Sequence, residues 1–514
     1  MSHPNSKTVR PTPETRLSQM SPTLEVKRSK LILQPDQSRV LLRPFNPGDS
    51  GRVDRIIDRI LSIPDKQTEE ILDAITRDFS QRHHGLHERF QKRFKEVCSH
   101  RDCLQELSEQ KRFLIGACFL AEYSLESAAL FNPSIVPHVD QEDLPEGALR
   151  FVLSLRATGE GHISSITFRT GVIGADNEIR IDEPEGFLTE ARQVANSTFQ
   201  KDMFTRKLDE LGLNCEFSHR VTDRLTPSFD IGELNSCIHA ELERERHADG
   251  VLHEDHEVAN GIRMLAQSNY EVQFEHEQNL SQRILFPATP SQSNGIEDAR
   301  FVRFQNADES YAYYATFTAY DGRVIVPELV ETTDFLRFRF STLNGPAAQN
   351  KGMAMFPRKI NGRYAMLARH DNESIYLGYS DNHHFWNESK LLFKPEQAWE
   401  LIQIGNCGSP IETEAGWLVL SHGVGPMRKY CIGAFLLDLD DPSKVIGRLN
   451  EPLMQPNEDE RKGYVPNVVY TCGALVHNNV LFIPYGLADH ATGFASVPVE
   501  NVLAAMQTKV GVEK

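Results

Sequence analysis

The sequence predicts a mainly-β fold: a propeller of short antiparallel strands, preceded by an α-helical domain and interrupted by a partly helical insertion. Three observations carry this. Short apolar or alternating runs such as RFVLSLRA, HISSITFR, YAYYATFTAY, GWLVLSHGV and VLFIPYG are separated by Gly, Asn, Asp and Pro, the pattern of strands and turns. Related segments recur, with GIEDARF beginning at 295, AMFPRKI at 354, SPIETEAGWL at 409 and YVPNVVYTCGAL at 464, in steps of 59, 55 and 55 residues. A period of about 40–60 residues built of several strands is that of propeller blades. Before residue 130, apolar residues instead recur at three- and four-residue steps.

Taken in order, residues 1–30 are rich in Ser, Pro, Thr and charge and read as a disordered tail. Residues 31–130 form the expected helical domain. VDRIIDRILSI, EEILDAITRDF and HERFQKRFKEV are its amphipathic helices, and FLIGACFLAEYSLESAALF a more buried one. Residues 131–514 are the propeller. Within it, 187–268 reads as a helical insertion, on segments such as FTRKLDELG and ELNSCIHAELERERH.

With 514 residues the chain is long enough for more than one structural unit. Its net charge of −17 excludes a general nucleic-acid binder and gives no affinity for an anionic membrane surface. An anionic substrate would need a local basic pocket. The start lacks the apolar core of a signal peptide, and no run of about 18 apolar residues occurs. The eight Cys show no CxxC pair, so they read as reduced thiols of a cytoplasmic protein. Neither a metal nor a cofactor is expected. Adjacent residues of a strand face opposite ways, which argues against metal binding by His383 and His384, just before Trp386. Trp417 reads as core, since its neighbours alternate as a strand.

The stretch SNGIEDARFVRF sets Glu297, Asp298 and Arg300 at the start of a strand. On residues alone these three fit a structural ion pair as well as a catalytic group. Five segments taken together go further. FNPS (131–134) precedes a strand ending at Arg156. GIEDAR (295–300) comes with TAYDG (318–322). NKGMAMFPRKINGRYAMLARH (350–370), GSPIETEAGWLVLSHG (408–423), and NVVYTCG with PYGLAD (467–473, 484–489) follow. In this order they resemble glycoside hydrolase family 130, the β-mannoside phosphorylases and β-1,2-mannosidases, over roughly 131–505. The N-terminal helical unit resembles that of the family's longer members.

The resemblance implies a five-bladed propeller. It also implies that Asp298 is the general acid, followed here by Ala299 where the family usually has Pro. A glycosidic oxygen leaves poorly without a proton, and the donor is ordinarily a carboxyl group of raised pKa. Glu297 is expected to raise it by like-charge repulsion and Arg300 to oppose. Phosphorolysis needs no protein base, because phosphate is the nucleophile, but it needs cations to hold that phosphate. The resemblance assigns Lys351, Arg369 and His422 to this role. The family's fourth position, a Lys, is Gln403 here, and Arg428 is a candidate for the missing charge. Asn132, Arg156, Glu297, Arg300, Tyr320, Asp321 and Asp489 are the expected sugar-holding residues.

The expected activity is inverting, reversible phosphorolysis of β-mannosides, most of all β-1,2-linked mannooligosaccharides. The partners are the oligosaccharide and inorganic phosphate, and a homo-oligomer is a further expectation. Two alternatives stay open. One is hydrolysis, with Glu160 in the hairpin GEG activating water as the second carboxylate. The other is a sugar-binding propeller without turnover.

Overall fold

The structure, a computed structural model, describes residues 24–99, 106–194, 198–248, 253–322 and 325–506. Most of the expected 1–30 tail lies outside these residues. The fold is mainly β. Four antiparallel sets, three of four strands and the last of five, follow one another along the chain. The first comprises Ala129–Pro137, Leu149–Thr158, Ser164–Ile173 and Ile179–Ile181. The second comprises Gly295–Gln305, Tyr311–Tyr320, Ile325–Thr332 and Arg337–Thr342. The third runs from Ala354–Met355 to Ser389–Phe393 and the fourth from Gln403–Asn406 to Val445–Arg448. A fifth set contains Val469–Tyr470, Val480–Leu487 and Ala491–Pro498, and its outer strand is Lys27–Leu33 from the other end of the chain. A single parallel pair, Gly295 opposite Ser164, joins the first set to the second. The expected core role of Trp417 holds: it is fully buried, with its ring edge-on to Phe356 at 5.1 Å.

Helices α1 (Ser50–Leu61), α2 (Asp65–Phe79), α3 (Leu86–Val97) and α4 (Glu109–Cys118) share one core of Ile57, Ile60, Leu72, Phe94, Leu114 and Ile115. Asp49 caps α1 by accepting from the Gly51 amide at 3.0 Å, and Ser108 caps α4. Helices α3 and α4 cross closely at Gly116, where a Cβ would come 1.9 Å from the Phe90 carbonyl oxygen. The buried ammonium of Lys111 donates to the carbonyls of Ile60 and Ile63 at the C-terminal end of α1.

Two sequence expectations are corrected here. The stretch from Lys27 to Pro44 is not tail or helix but two strands, Lys27–Leu33 and Val40–Pro44. Lys27 and Lys30 are exposed on an edge strand, and Arg28 reaches inward to Glu460, which hides the alternation. The expected buried helix FLIGACFLAEYSLESAALF stops at Cys118 and continues as strands Leu120–Ser124 and Ala129–Pro137. A continuous apolar run does not distinguish the two periods. Here pairing of Leu120–Ser124 with Val40–Pro44 decides.

Within the expected insertion, α5 (Lys201–Glu210), α6 (Glu216–Asp223), α7 (Ile231–Ala248) and α8 (His253–Gln267) enclose their own core around Phe217, Val221, Leu234 and Ile262. The strand Tyr270–Gln273 then pairs with Arg337–Thr342, and the Tyr270 and Phe340 rings stack at 4.5 Å.

Candidate active site

Two β-bulges build the acidic half of the site. The pairing of Ala129–Pro137 with its neighbour slips between Phe131 and Ser134, and that of Gly295–Gln305 slips between Glu297 and Arg300. A bulge re-aims side chains that a regular pleat would bury in alternation. Asn132 and Asp298 occupy the two bulges with left-handed φ values of 48° and 55°. Asn and Asp tolerate that region better than other side chains. Asn132 Nδ2 donates to Asp298 Oδ1 at 2.7 Å. Arg156 donates from Nη1 to the same oxygen at 3.2 Å and from Nη2 to Glu297 Oε1 at 2.7 Å. The Arg156 guanidinium lies 5.0 Å over the Phe131 ring, and Lys351 Nζ is 3.9 Å from Glu297 Oε2.

The second half is basic and lies deeper. Arg300 donates to the Asp298 carbonyl (3.0 Å), the Cys407 carbonyl (2.8 Å) and the Tyr470 hydroxyl (2.6 Å). Arg369 Nη1 is 2.8 Å from His422 Nε2, and the Gln403 amide is 3.4 Å from the same nitrogen. His422 stacks on Tyr430 and meets Tyr470 edge-on. Glycines make room for this packing. A Cβ at Gly405 would come 2.5 Å from His422 Cε1 and 3.0 Å from Arg369 Cδ, while Gly352, next to Lys351, lies against the Arg369 side chain.

The electrostatics reverse one expectation. Burial alone would raise the Asp298 carboxyl, but Arg156, then Arg300, the Asn132 hydrogen bond and Lys351 outweigh it and hold it at about 2. Asp298 is therefore a carboxylate at rest, not an acid of raised pKa. Beside it, the raised carboxyl is that of Asp489. Burial, then the Asp298 charge, lift it to about 6 against Arg156 and Arg428. Burial first, then Arg369 and Arg300, hold His422 well below the ordinary imidazole value. It is thus a neutral acceptor for Arg369 and not a third cation.

A family model described as beta-1,4-mannooligosaccharide phosphorylase, that of glycoside hydrolase family 130, matches residues 251–508. The chain belongs to glycoside hydrolase family 130. A 1,2-beta-oligomannan phosphorylase of Thermoanaerobacter sp. is 34% identical over 231 residues, 43% of this chain and 75% of that protein. A beta-1,2-mannobiose phosphorylase of the same organism is 34% identical over 233 residues, 43% of this chain and 72% of that protein. The solved beta-1,2-mannobiose phosphorylase of Listeria innocua, in complex with beta-1,2-mannobiose, is 22% identical, with a TM-score of 0.44 over 74% of this chain and 92% of that one.

Of the residues that the family-130 resemblance singled out, Asn132, Arg156, Glu297, Asp298, Arg300 and Lys351 form one contact network, and Arg369 and His422 a second beside it. Arg300 lies buried between them, with its donors turned inward to the Asp298 and Cys407 carbonyls and the Tyr470 hydroxyl. Tyr320 closes its strand opposite Gly295, and Asp321 follows it. Arg428 stands on an exposed turn, its guanidinium 5.9 Å over the ring of Tyr430, on which His422 stacks, and it also acts on Asp489. Glu160 sits exposed in the turn Glu160–His162 and makes none of the described hydrogen bonds of Asp298 or Glu297. Sequence reasoning missed Tyr470 and the Cys407 carbonyl. Tyr470 stood inside the NVVYTCG segment, so its place there was a usable signal. The seven described cysteines are all free, and no described helix is long and apolar enough to cross a membrane.

The His383–His384 reading is also corrected. The two residues lie in a turn rather than a strand, and both rings face Glu331.

Proposed function

We propose that this protein is an inverting phosphorylase of β-mannosides, acting on β-1,2-linked mannooligosaccharides on a five-bladed propeller. The observation that carries the reading is the basic wall beside Asp298: Arg369 and Lys351 in a chain of net charge −17. Such a wall suits an oxyanion nucleophile, and its guanidinium can grip two phosphate oxygens at once. Relatives named as β-mannoside phosphorylases support the same substrate class.

In this mechanism the mannosyl ring is held over the Asn132–Asp298–Arg156 network. A phosphate oxygen attacks the anomeric carbon from the face opposite the glycosidic oxygen. That bond breaks as its oxygen takes a proton from Asp298, giving α-mannose 1-phosphate, a shortened chain and an ionised Asp298. Inversion follows from the single in-line displacement. Because free Asp298 is already ionised, the proton has to be loaded. Phosphate bound at Arg369 and Lys351 adds negative charge near Asp298 and offsets the cations that depress its carboxyl. Nucleophile and proton are therefore taken up together. Neutral His422 keeps the Arg369 guanidinium aimed at the phosphate and is itself no counter-charge.

The test is incubation with β-1,2-mannobiose and longer β-1,2-mannooligosaccharides, with and without inorganic phosphate. Phosphate-dependent release of mannose 1-phosphate is expected. Free mannose released equally without phosphate would overturn the reading and leave hydrolysis.

A further inference from the structure

Outside the Asp298 network, three ligating side chains converge where the second and third strand sets meet. Glu331 lies on the strand Ile325–Thr332, and His383 and His384 lie in the turn before the strand Ser389–Phe393. His383 Nε2 is 2.8 Å from Glu331 Oε1, and His384 Nε2 is 3.9 Å from Glu331 Oε2. One ligand atom from each residue lies within 4.8 Å of the others. Four-coordinate zinc with bonds of about 2.0–2.1 Å has neighbouring ligand atoms roughly 3.3 Å apart, so the two measured spacings bracket what such an ion requires.

The turn is held in place before any ligand arrives. Asn344 donates its backbone and side-chain N–H groups to the His384 carbonyl, each at 2.9 Å. The buried Trp386 donates its indole N–H to the His383 carbonyl at 2.9 Å, and the His384 amide donates to Asn382 Oδ1 at 3.0 Å. Ser341 Oγ lies 3.2 Å from His384 Nδ1, which turns Nε2 of that ring toward Glu331. A second partner on the remote ring nitrogen is the usual support of a metal-bound imidazole. Tyr314 and Tyr364 wall the His383 ring at 5.2 and 5.0 Å.

We propose that Glu331, His383 and His384 form a binding site for a divalent transition-metal ion of the zinc class, its remaining coordination filled by water. Two imidazoles and a carboxylate are a borderline donor set that suits zinc, cobalt or nickel better than magnesium or calcium. Arg339 is a nearby cation that opposes an added ion. It is the cross-strand neighbour of Glu331, and its Nε lies 3.8 Å from Glu271, so its charge is shared elsewhere. Water reaches the site from a cavity of about 420 Å³ between α5 and the strand Arg337–Thr342, which His384, Asn382 and Arg339 help to line. Bound there, the ion would tie the second strand set to the third.

The experiment uses the full chain, stripped with EDTA, dialysed and titrated with CoCl2. Wild type is expected to take up one Co2+ per chain with the visible bands of a tetrahedral His-ligated site, and ZnCl2 is expected to bleach them. His384→Ala and Glu331→Gln are expected to lose both that equivalent and the bands, while Asp298→Asn keeps them. Absence of bands in wild type, or bands retained in both variants, overturns the proposal. Should His384→Ala fail to fold by circular dichroism, Glu331→Gln, which keeps shape and size, decides alone.

Discussion

Exchange of Asp489 for Asn separates stability from turnover and does so in a pH-dependent way. The Asp489 carboxyl is raised from 3.8 to about 6, by burial first and then by the Asp298 anion. A carboxyl raised in the folded state contributes stability that is full below its unfolded value, near 3.8, and is lost as pH rises through about 6. At pH 8 the folded protein therefore carries an unfavourable anion. A shift of about 2 units at about 1.4 kcal/mol each sets the upper limit of that cost near 3 kcal/mol. Asn is neutral throughout, similar in shape, and accepts the φ of 52° found at this position. At about 2.1 cal/mol/K per residue, a chain of 514 residues unfolding as one unit would gain about 3 °C in Tm. The assay is thermal unfolding of wild type and Asp489→Asn at pH 4, 6 and 8. The variant should match wild type at pH 4 and exceed it increasingly toward pH 8. Phosphorolysis should fall, because a sugar hydroxyl loses its charged acceptor. A Tm difference independent of pH, or a less stable variant at pH 8, would refute the electrostatic argument.

Other perturbations test the rest of the site. Asp298→Asn, also compatible with a left-handed φ, should lower kcat by about 10²–10⁴-fold in phosphate-dependent assays, and retention of a tenth of the rate would sink its role as proton donor. Gly405→Ala removes no charge but drives a methyl into His422 and Arg369, so KM for phosphate should rise about tenfold with KM for the mannoside little changed. An unchanged phosphate KM would place the anion elsewhere. Glu160→Gln should alter phosphorolysis less than about threefold, as for a solvated turn residue. A loss of tenfold or more would return Glu160 to the chemistry.

Much of the site was legible because its residues lie at strand starts, where turn residues and charge interrupt the apolar runs. GIEDAR and FNPS marked both bulges. The left-handed turn at Asp298 was not legible, since a bulge depends on how two strands pair and not on either one alone. Arg300 looked like a sugar-holding residue, yet its donors go to Cys407, Tyr470 and the Asp298 carbonyl. Only the tertiary fold brings residues 300, 407 and 470 together. The protonation pattern was hidden for the same reason. Glu297 was expected to lift its neighbour, but Arg156 and Arg300 decide the Asp298 carboxyl. Adjacent His residues would face apart on a strand, and the turn that makes them face together is set by Asn344, almost forty positions earlier. The strand Lys27–Leu33 was invisible because its partner lies near the other end of the chain.

That last pairing bears on how the molecule is made. Lys27 pairs with Ser496 and Leu33 with Thr492, and Arg28 is clamped to Glu460 at 2.8 Å, which Tyr485 also holds. The strand Lys27–Leu33 must wait, unpaired, until the ribosome has delivered its partner Ala491–Pro498. Its Lys27, Arg28 and Lys30 guard that open edge against premature partners during the wait. Closure between such distant segments is a slow, late event, because the intervening chain must already be ordered before the contact is rewarded. A protease cut between Leu33 and Val40 would leave every bond of the basic wall intact and still unlatch the fifth sheet. Release of that one strand would open the fifth sheet without touching the site.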